Sequence, residues 1–186
     1  QRRGYSYNAL SREVLRPKNR LTTFDLSPHP ARSPLKHMNV AGTIDSIMNQ
    51  KPREVWSVSP DATVYDAVAM MAEKNVGALL VVENGQLVGI LSERDYTRKV
   101  MLRGKRSRET QVREIMSTQL TTVEPKEGVD DCLRFMTEKR IRHLPVVKEG
   151  EICGVISIGD LVKHVISVQS ATLDQLERYI SGGYTN

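Results

Sequence analysis

An α/β fold built from two copies of one strand–helix–strand–strand–helix unit, packed as a pseudo-twofold pair, is what this sequence predicts. Three observations predict it. The stretches VVENGQLVGILSERD (Val81 to Asp95) and VVKEGEICGVISIGD (Val146 to Asp160) repeat one pattern 65 residues apart. Each is preceded by a segment whose apolar residues recur at helical spacing, and each holds two Val- and Ile-rich runs around a Gly-centred turn. A three-stranded sheet with two small helices buries little by itself, so two units with matching apolar faces are expected to need each other.

The alignment extends well beyond those stretches. Without a gap, Pro60 meets Pro125, Val64 meets Val129, Asp66 meets Asp131, Met71 meets Met136, Leu79 meets Leu144, Gly85 meets Gly150 and Gly89 meets Gly154. Upstream, Ile47-Met48 pairs with Ile115-Met116 once a three-residue difference in length is allowed, which makes a unit of about 55 to 60 residues. Val58-Ser59-Pro60 and Val123-Glu124-Pro125 end short extended segments, because the residue before a proline is biased away from helix. A helix follows in each unit, carried by Val64, Ala67, Val68 and Met71 in the first and by Val129, Cys132, Leu133 and Met136 in the second. The hairpin comes next, with Asn84-Gly85 as a strong two-residue turn signal and Glu149-Gly150 in its place in the second unit. ERDYTRKVMLRG and IGDLVKHVISV then return to helical character. Arg103 to Gln111 reads as a polar, basic linker without a fixed structure, and Leu173 to Ile180 as a short, separate amphipathic helix ended by Gly182-Gly183.

Charge and composition exclude some functions. The net charge of +5 invites a nucleic-acid reading, but residues 1 to 37 hold eight basic and two acidic residues, leaving 19 basic against 20 acidic in the remainder. A nucleic-acid binder carries its positive charge on the folded surface. The leader reads as a flexible basic arm, a remnant of an Arg- and Ser-rich mitochondrial presequence, or residues upstream of a start at Met38. No apolar run approaches the roughly 20 residues that cross a bilayer. Cys132 and Cys153 lie in apolar periodic segments and read as buried, reduced thiols, with a redox switch as the alternative.

These residues together resemble the CBS-domain pair, the family named for the regulatory region of cystathionine β-synthase. The resemblance rests on VGILSERD and CGVISIGD, on RIRHLPVV, and on the Ile-Met and Val-x-Pro segments before each helix, and it covers nearly all of residues 42 to 168. The chain is similar to the small stand-alone single-pair proteins of bacteria and plant mitochondria, including the tail RYISGGY. On this reading, residues 1–39 are the leader, 40–103 the first repeat, 104–111 the linker, 112–168 the second repeat and 169–186 a C-terminal helix and tail.

The resemblance implies a ligand-sensing module with adenosine-containing ligands in clefts between the paired units: AMP, ADP or ATP, or else NAD or S-adenosylmethionine. Asp95 with Ser92, and Asp160 with Ser157, supply the chemistry for the ribose. A carboxylate at a helix start can accept two hydrogen bonds from a 2′,3′-diol, and a hydroxyl three residues earlier caps the helix or contacts the ligand. The same Ser-x-x-Asp also suits a chain that merely begins a helix there. Arg142 and His143 are expected at phosphate, with Arg94 and Arg98 beside Asp95; Gly77, Ala78, Leu79, Leu144 and Pro145 are expected to line the clefts. By family analogy Asp95 shares a cleft with Arg142 and His143 and takes the phosphorylated nucleotide, while the Asp160 cleft holds a less charged adenosyl group or stays empty.

Function then follows as an expectation: a non-catalytic sensor, without catalytic cofactor or metal, that relays ligand occupancy to an unknown regulated protein. A homodimer assembled through helices, assisted by the C-terminal helix, goes with it. The alternatives are an interaction scaffold without ligand and nucleic-acid binding through the leader and linker. An enzyme finds no support in a phosphate loop, a His-Cys metal cluster or a motif around His29, His37, His143 or His164. Neither a nucleic acid nor a membrane is expected as partner. The expected location is the bacterial cytoplasm, with the mitochondrial matrix as the alternative if the leader is a presequence.

Overall fold

The computed structural model describes residues 42–51 and 54–181; the leader and the Gly182-Gly183 helix stop lie outside the described residues. In chain order the elements are α1 (Ile44–Met48), β1 (Ser57–Val58), α2 (Val64–Lys74), β2 (Ala78–Glu83), β3 (Gln86–Ser92), α3 (Glu93–Lys99), α4 (Val129–Lys139), β4 (His143–Lys148), β5 (Glu151–Ser157) and α5 (Ile158–Ser181), with 3-10 turns at Met101–Arg103 and Val112–Glu114. They fall into two compact units. Among the described residues, unit 1 holds 54–119 and unit 2 holds 42–51 together with 120–181.

Unit 1 is a three-stranded sheet in the order β1-β2-β3, with β1 parallel to β2 and the β2–β3 hairpin antiparallel. The turn Asn84-Gly85 has φ of 50° and 77°, the doubly positive geometry that matches the twist of a two-residue hairpin. A bulge between Val81 and Val82 shifts the register. Helix α2 lays Val64, Ala67 and Met71 on the sheet, where they meet Leu79, Val81 and Leu91 in one core cluster. Burying Val64, Met71 and Leu91 completely contributes roughly 1.5–3 kcal/mol per side chain.

Unit 2 repeats this plan around β4 and β5, with the same bulge between Val146 and Val147 and a turn at Glu149-Gly150 with φ of 51° and 82°. Its first strand is reduced to one bridge, Val123 with Val146. The reason is chemical. In unit 1 the Leu80 N–H donates to the Trp56 carbonyl at 3.2 Å, and the residue aligned with Leu80 is Pro145, which has no N–H to give.

Among the described residues, unit 2 is not a continuous segment of sequence. The α1 segment opens the first repeat, yet Ile44 and Ile47 lie in the unit 2 core with Val129, Cys132, Leu144 and Ile156. The Ile44 and Asp45 N–H groups donate to the Glu127 and Pro125 carbonyls at 2.9 and 2.8 Å. The 3-10 turn at Val112 does the same for unit 1, where the Val112 and Arg113 N–H groups donate to Ala62 and Pro60, both at 2.9 Å. Each upstream segment also places its methionine over the glycine of a hairpin. A Cβ at Gly89 would stand 2.8 Å from the Met116 sulfur, and one at Gly154 would collide with the Met48 terminal methyl.

Two expectations about the connections are corrected. The 104–111 stretch is not an unstructured linker: the Ser107 and Thr110 carbonyls accept from the Tyr65 and Val64 N–H groups at 3.1 and 2.9 Å, satisfying donors that the first turn of α2 leaves open. Arg108 stacks 3.6 Å from the Tyr65 ring centroid. The expected separate C-terminal helix is instead continuous with the helix after β5, as 24-residue α5. No glycine or proline interrupts the sequence between Leu161 and Ser181, so nothing in it breaks the helix.

Candidate functional site

Each unit carries one carboxylate fixed where its last strand turns into a helix. In unit 1, Ser92 is the N-cap of α3: its hydroxyl accepts from the Asp95 N–H at 3.3 Å and donates to Asp95 Oδ2 at 2.6 Å, while the Ser92 N–H donates to the same Oδ2 at 3.1 Å. This reciprocal capping box satisfies helix-end donors and leaves the carboxylate a single orientation. The other oxygen, Oδ1, is taken by Lys99 Nζ at 2.8 Å, with the Ser117 hydroxyl at 3.5 Å. Lys99 also donates to the Ile115 carbonyl at 2.7 Å.

Unit 2 builds the same box from Ser157 and Asp160. The Ser157 N–H and hydroxyl reach Asp160 Oδ2 at 2.8 and 2.7 Å, and the Asp160 N–H donates back to the hydroxyl at 3.2 Å. Here the lysine is Lys51, whose Nζ reaches the same Oδ2 at 2.7 Å and the Val155 carbonyl at 3.2 Å. The Lys51 ammonium, the Ser157 hydroxyl and the Ser157 N–H therefore converge on Asp160 Oδ2. Partial burial opposes the charge of Asp160, but the donors Lys51 and Ser157 outweigh it and hold the carboxyl below its ordinary range.

The strand entrances stand beside these carboxylates. The Glu93 N–H donates to the Gly77 carbonyl at 3.1 Å, and Ala78 pairs with Ser92 across the hairpin. In unit 2 the Ile158 N–H donates to the Arg142 carbonyl at 2.9 Å, and His143 pairs with Ser157. Burial, followed by Arg142, makes His143 harder to protonate than an ordinary imidazole; Lys51 adds to this, and Asp160 pulls the other way. The structure thus gathers Arg142, His143, Lys51, Ser157 and Asp160 within unit 2. In unit 1 it gathers Ser92, Asp95 and Lys99, with Arg94 part-buried and Arg98 exposed on the same helix. Leu79 and Leu144 are wholly buried in the two cores, and Pro145 is buried too, so these positions present backbone rather than side chain at the strand entrance.

Both lysines and Ser117 escaped the sequence reading. Lys99 was legible as the residue one turn after Asp95. Lys51 was not, being 109 residues from Asp160. The repeat offers no help with either: Lys99 aligns with His164 and Lys51 with Gln119, so the two units recruit their cation from different places. Of the two cysteines expected to be buried, Cys132 is, whereas Cys153 is only half-buried. Cys132 is fully buried, and burial, reinforced by Glu127 and Asp131, pushes its thiol up to about 12; burial also raises Cys153. Among the described residues no group of three or more His, Cys, Asp or Glu could hold a metal ion, and no helix is long and apolar enough to cross a membrane.

Comparison with known proteins finds the CBS domain matched twice, over residues 44–102 and 112–167. The mitochondrial CBS domain-containing protein CBSX3 of Arabidopsis thaliana is 42% identical over 152 residues, 76% of this chain and 73% of the relative. Among solved structures, a protein with CBS domains from Burkholderia ambifaria, described in terms of signal transduction, is 48% identical with a TM-score of 0.66, covering 67% of this chain and 94% of that one. The CBS domain pair of protein MJ0100, solved with 5′-methylthioadenosine and S-adenosyl-L-methionine, shares the fold at 24% identity and a TM-score of 0.58, covering 65% of this chain and 93% of that one.

Proposed function

The chain belongs to the CBS-domain family, and on that premise we propose that it is a non-catalytic sensor of adenosine-containing ligands whose occupancy is read by a partner protein. The observation that carries the proposal is the Asp160 carboxylate. Lys51, the Ser157 hydroxyl and the Ser157 N–H hold its Oδ2 and fix the carboxylate at the start of α5. A ribose diol is the ligand group that such a fixed, helix-capping carboxylate suits best. Asp95 offers the same group once Lys99, which is exposed enough to swing away, gives up Oδ1. The complex of MJ0100 with two adenosyl compounds supports this ligand class.

The two sites are proposed to be unequal. Arg94 and Arg98 lie on the helix that Asp95 caps, whereas Asp160 is followed by Leu161 and Val162. A phosphorylated nucleotide, AMP or ATP, is assigned to the Asp95 site, and a less charged adenosyl group such as S-adenosylmethionine to the Asp160 site. Ligand binding acts by favouring one arrangement of the chain over another, by no more than its difference in affinity for the two. For location, the Arg- and Ser-rich composition of residues 1–37 and the mitochondrial relative favour a mitochondrial reading over a cytoplasmic one.

Isothermal titration calorimetry of the whole chain against AMP, ATP, NAD and S-adenosylmethionine tests the reading, with Asp95→Asn and Asp160→Asn alongside. Asn keeps a capping oxygen but loses the charge, so the fold survives while the diol contact weakens. Asp95→Asn is expected to weaken the phosphorylated nucleotide by about tenfold or more, and Asp160→Asn the S-adenosylmethionine. Equal losses for every ligand in both variants would remove the asymmetry. Absence of heat with all four ligands would remove the sensor reading and leave a ligand-free interaction scaffold.

A further inference from the structure

We propose that Lys51 is a latch: its ammonium holds the C-terminal end of α1 on unit 2 and lets it go when the Asp160 carboxylate takes another partner. The inference rests on the reading of Asp160 as the carboxylate that meets a ligand, and deepens it by naming the part of the chain that feels the ligand arrive. Unit 1 shows what a fixed hold looks like. There the Ser117 N–H donates to the Ile90 carbonyl at 2.9 Å and the Ile90 N–H donates back to the Ser117 carbonyl at 3.0 Å, so main chain is bonded to main chain. The repeat sets Asn49 against Ser117 and Val155 against Ile90. In unit 2, however, the Asn49 N–H is turned back to the Asp45 carbonyl at 3.0 Å, where it closes the end of α1. The Val155 carbonyl accepts from Lys51 Nζ at 3.2 Å instead. A flexible side chain thus stands where unit 1 uses backbone. The same Nζ reaches Asp160 Oδ2 at 2.7 Å, so one ammonium ties the end of α1 both to β5 and to the start of α5.

Two features make this hold releasable. Solvent reaches both partners, with the Lys51 side chain 30% exposed and that of Asp160 25%, and an ion pair open to water is weak enough for an incoming donor to replace. The front of α1 is anchored separately, by the Ile44 and Asp45 N–H groups on the Glu127 and Pro125 carbonyls and by the wholly buried Ile44 side chain. Loss of the Lys51 contact therefore frees Asn49 and Gln50 and leaves Ile44 in place. Lys99 does not repeat the device, because it comes from the helix that Asp95 itself caps, and the Ser117 bonds hold the neighbouring segment without it. A ligand hydroxyl that donates to Asp160 competes with Lys51, and by reciprocity Lys51 weakens the ligand by the factor by which the ligand loosens α1.

Amide hydrogen exchange followed by NMR on the full chain, together with calorimetry against S-adenosylmethionine and AMP, tests the proposal on wild type, Lys51→Met and Lys51→Arg. Methionine keeps the reach of the side chain and drops the charge. In Lys51→Met the Asn49 and Gln50 N–H groups are expected to exchange about fivefold faster, with Ile44 and Ser117 unchanged, and Lys51→Arg to match wild type. A ligand that takes Asp160 is expected to bring the same acceleration to the wild type, and to bind Lys51→Met about fivefold more tightly. Unchanged exchange in Lys51→Met, or a gain shared equally by Ile44 and Ser117, would overturn the latch. Binding heat without any change at Asn49 and Gln50 would overturn the release and leave the sensor reading standing. Absence of heat in wild type and Lys51→Met alike would remove the sensor reading and the release with it.

Discussion

At the scale of single residues, the site is organised by where each carboxylate finds its cation. Asp160 and His143 sit in one electrostatic neighbourhood but titrate in separate windows. His143 is harder to protonate in the folded chain than in the unfolded one, so the unfolded chain binds more protons as pH falls below the ordinary value of 6.5. The associated stability is full above 6.5 and is lost as pH falls from there toward the folded value. Asp160 has the same sign lower down: its contribution is present above 3.8 and is lost as pH falls through its lowered folded value. Urea midpoints measured from pH 8 to pH 3 are therefore expected to decline, and His143→Gln to flatten the decline that begins at 6.5 while leaving the loss below 3.8 in place. Equal slopes in both proteins would show that His143 is not the responsible group. Ser-x-x-Asp was visible in the sequence as a helix start, and the capping boxes bear that out. Lys51 could not be anticipated, since its part in the site depends on how α1 docks.

At the scale of elements, the hairpins were the most legible feature, because a two-residue turn of this type admits few sequences. Asn84-Gly85 suits positive φ at both positions; Glu149-Gly150 does so only at the second. A glutamate held at φ of 51° carries a strain of about 1 kcal/mol that asparagine largely avoids. Glu149→Asn is expected to raise stability by roughly 0.5–1 kcal/mol in denaturant titration. An unchanged or lowered midpoint would mean that the turn is not strained as its dihedrals indicate. The sheets diverge for a reason equally local. Pro145 removes one donor, and the first strand of unit 2 shrinks to a bridge where unit 1 keeps β1. That difference was readable in the alignment of Leu80 with Pro145, although both segments read alike as short extended stretches. The expected separate helix over Leu173 to Ile180 is instead the last part of α5, because nothing in the residues between Leu161 and Leu173 opposes helix.

At the scale of the whole molecule, the two units trade their leading segments. The Val112 turn supplies Val112 and Ile115 to the core of unit 1, and α1 supplies Ile44 and Ile47 to that of unit 2. A fragment cut at the repeat boundary thus lacks part of its own core. Residues 54–119 hold the complete unit 1 core cluster in one continuous stretch, whereas residues 54–103 lack Val112 and Ile115. The longer fragment is expected to show a cooperative, if marginal, urea transition for a domain of this size, and the shorter one none. Identical behaviour of the two fragments would mean that the 104–119 segment adds nothing to the stability of unit 1.

By itself the sequence determined what repeats and local preferences determine. It specified the two units, the order of their elements, the turns, the apolar faces of α2 and α4 and the two capping carboxylates, because each of these is decided within about fifteen neighbouring residues. Tertiary structure decided which upstream segment completes which core, which lysine neutralises each carboxylate and which oxygen of Asp160 that lysine shares with Ser157. Those outcomes depend on residues far apart in the chain that meet only when orphan N–H groups and unfilled apolar faces are satisfied at the same time, and no local pattern records that meeting.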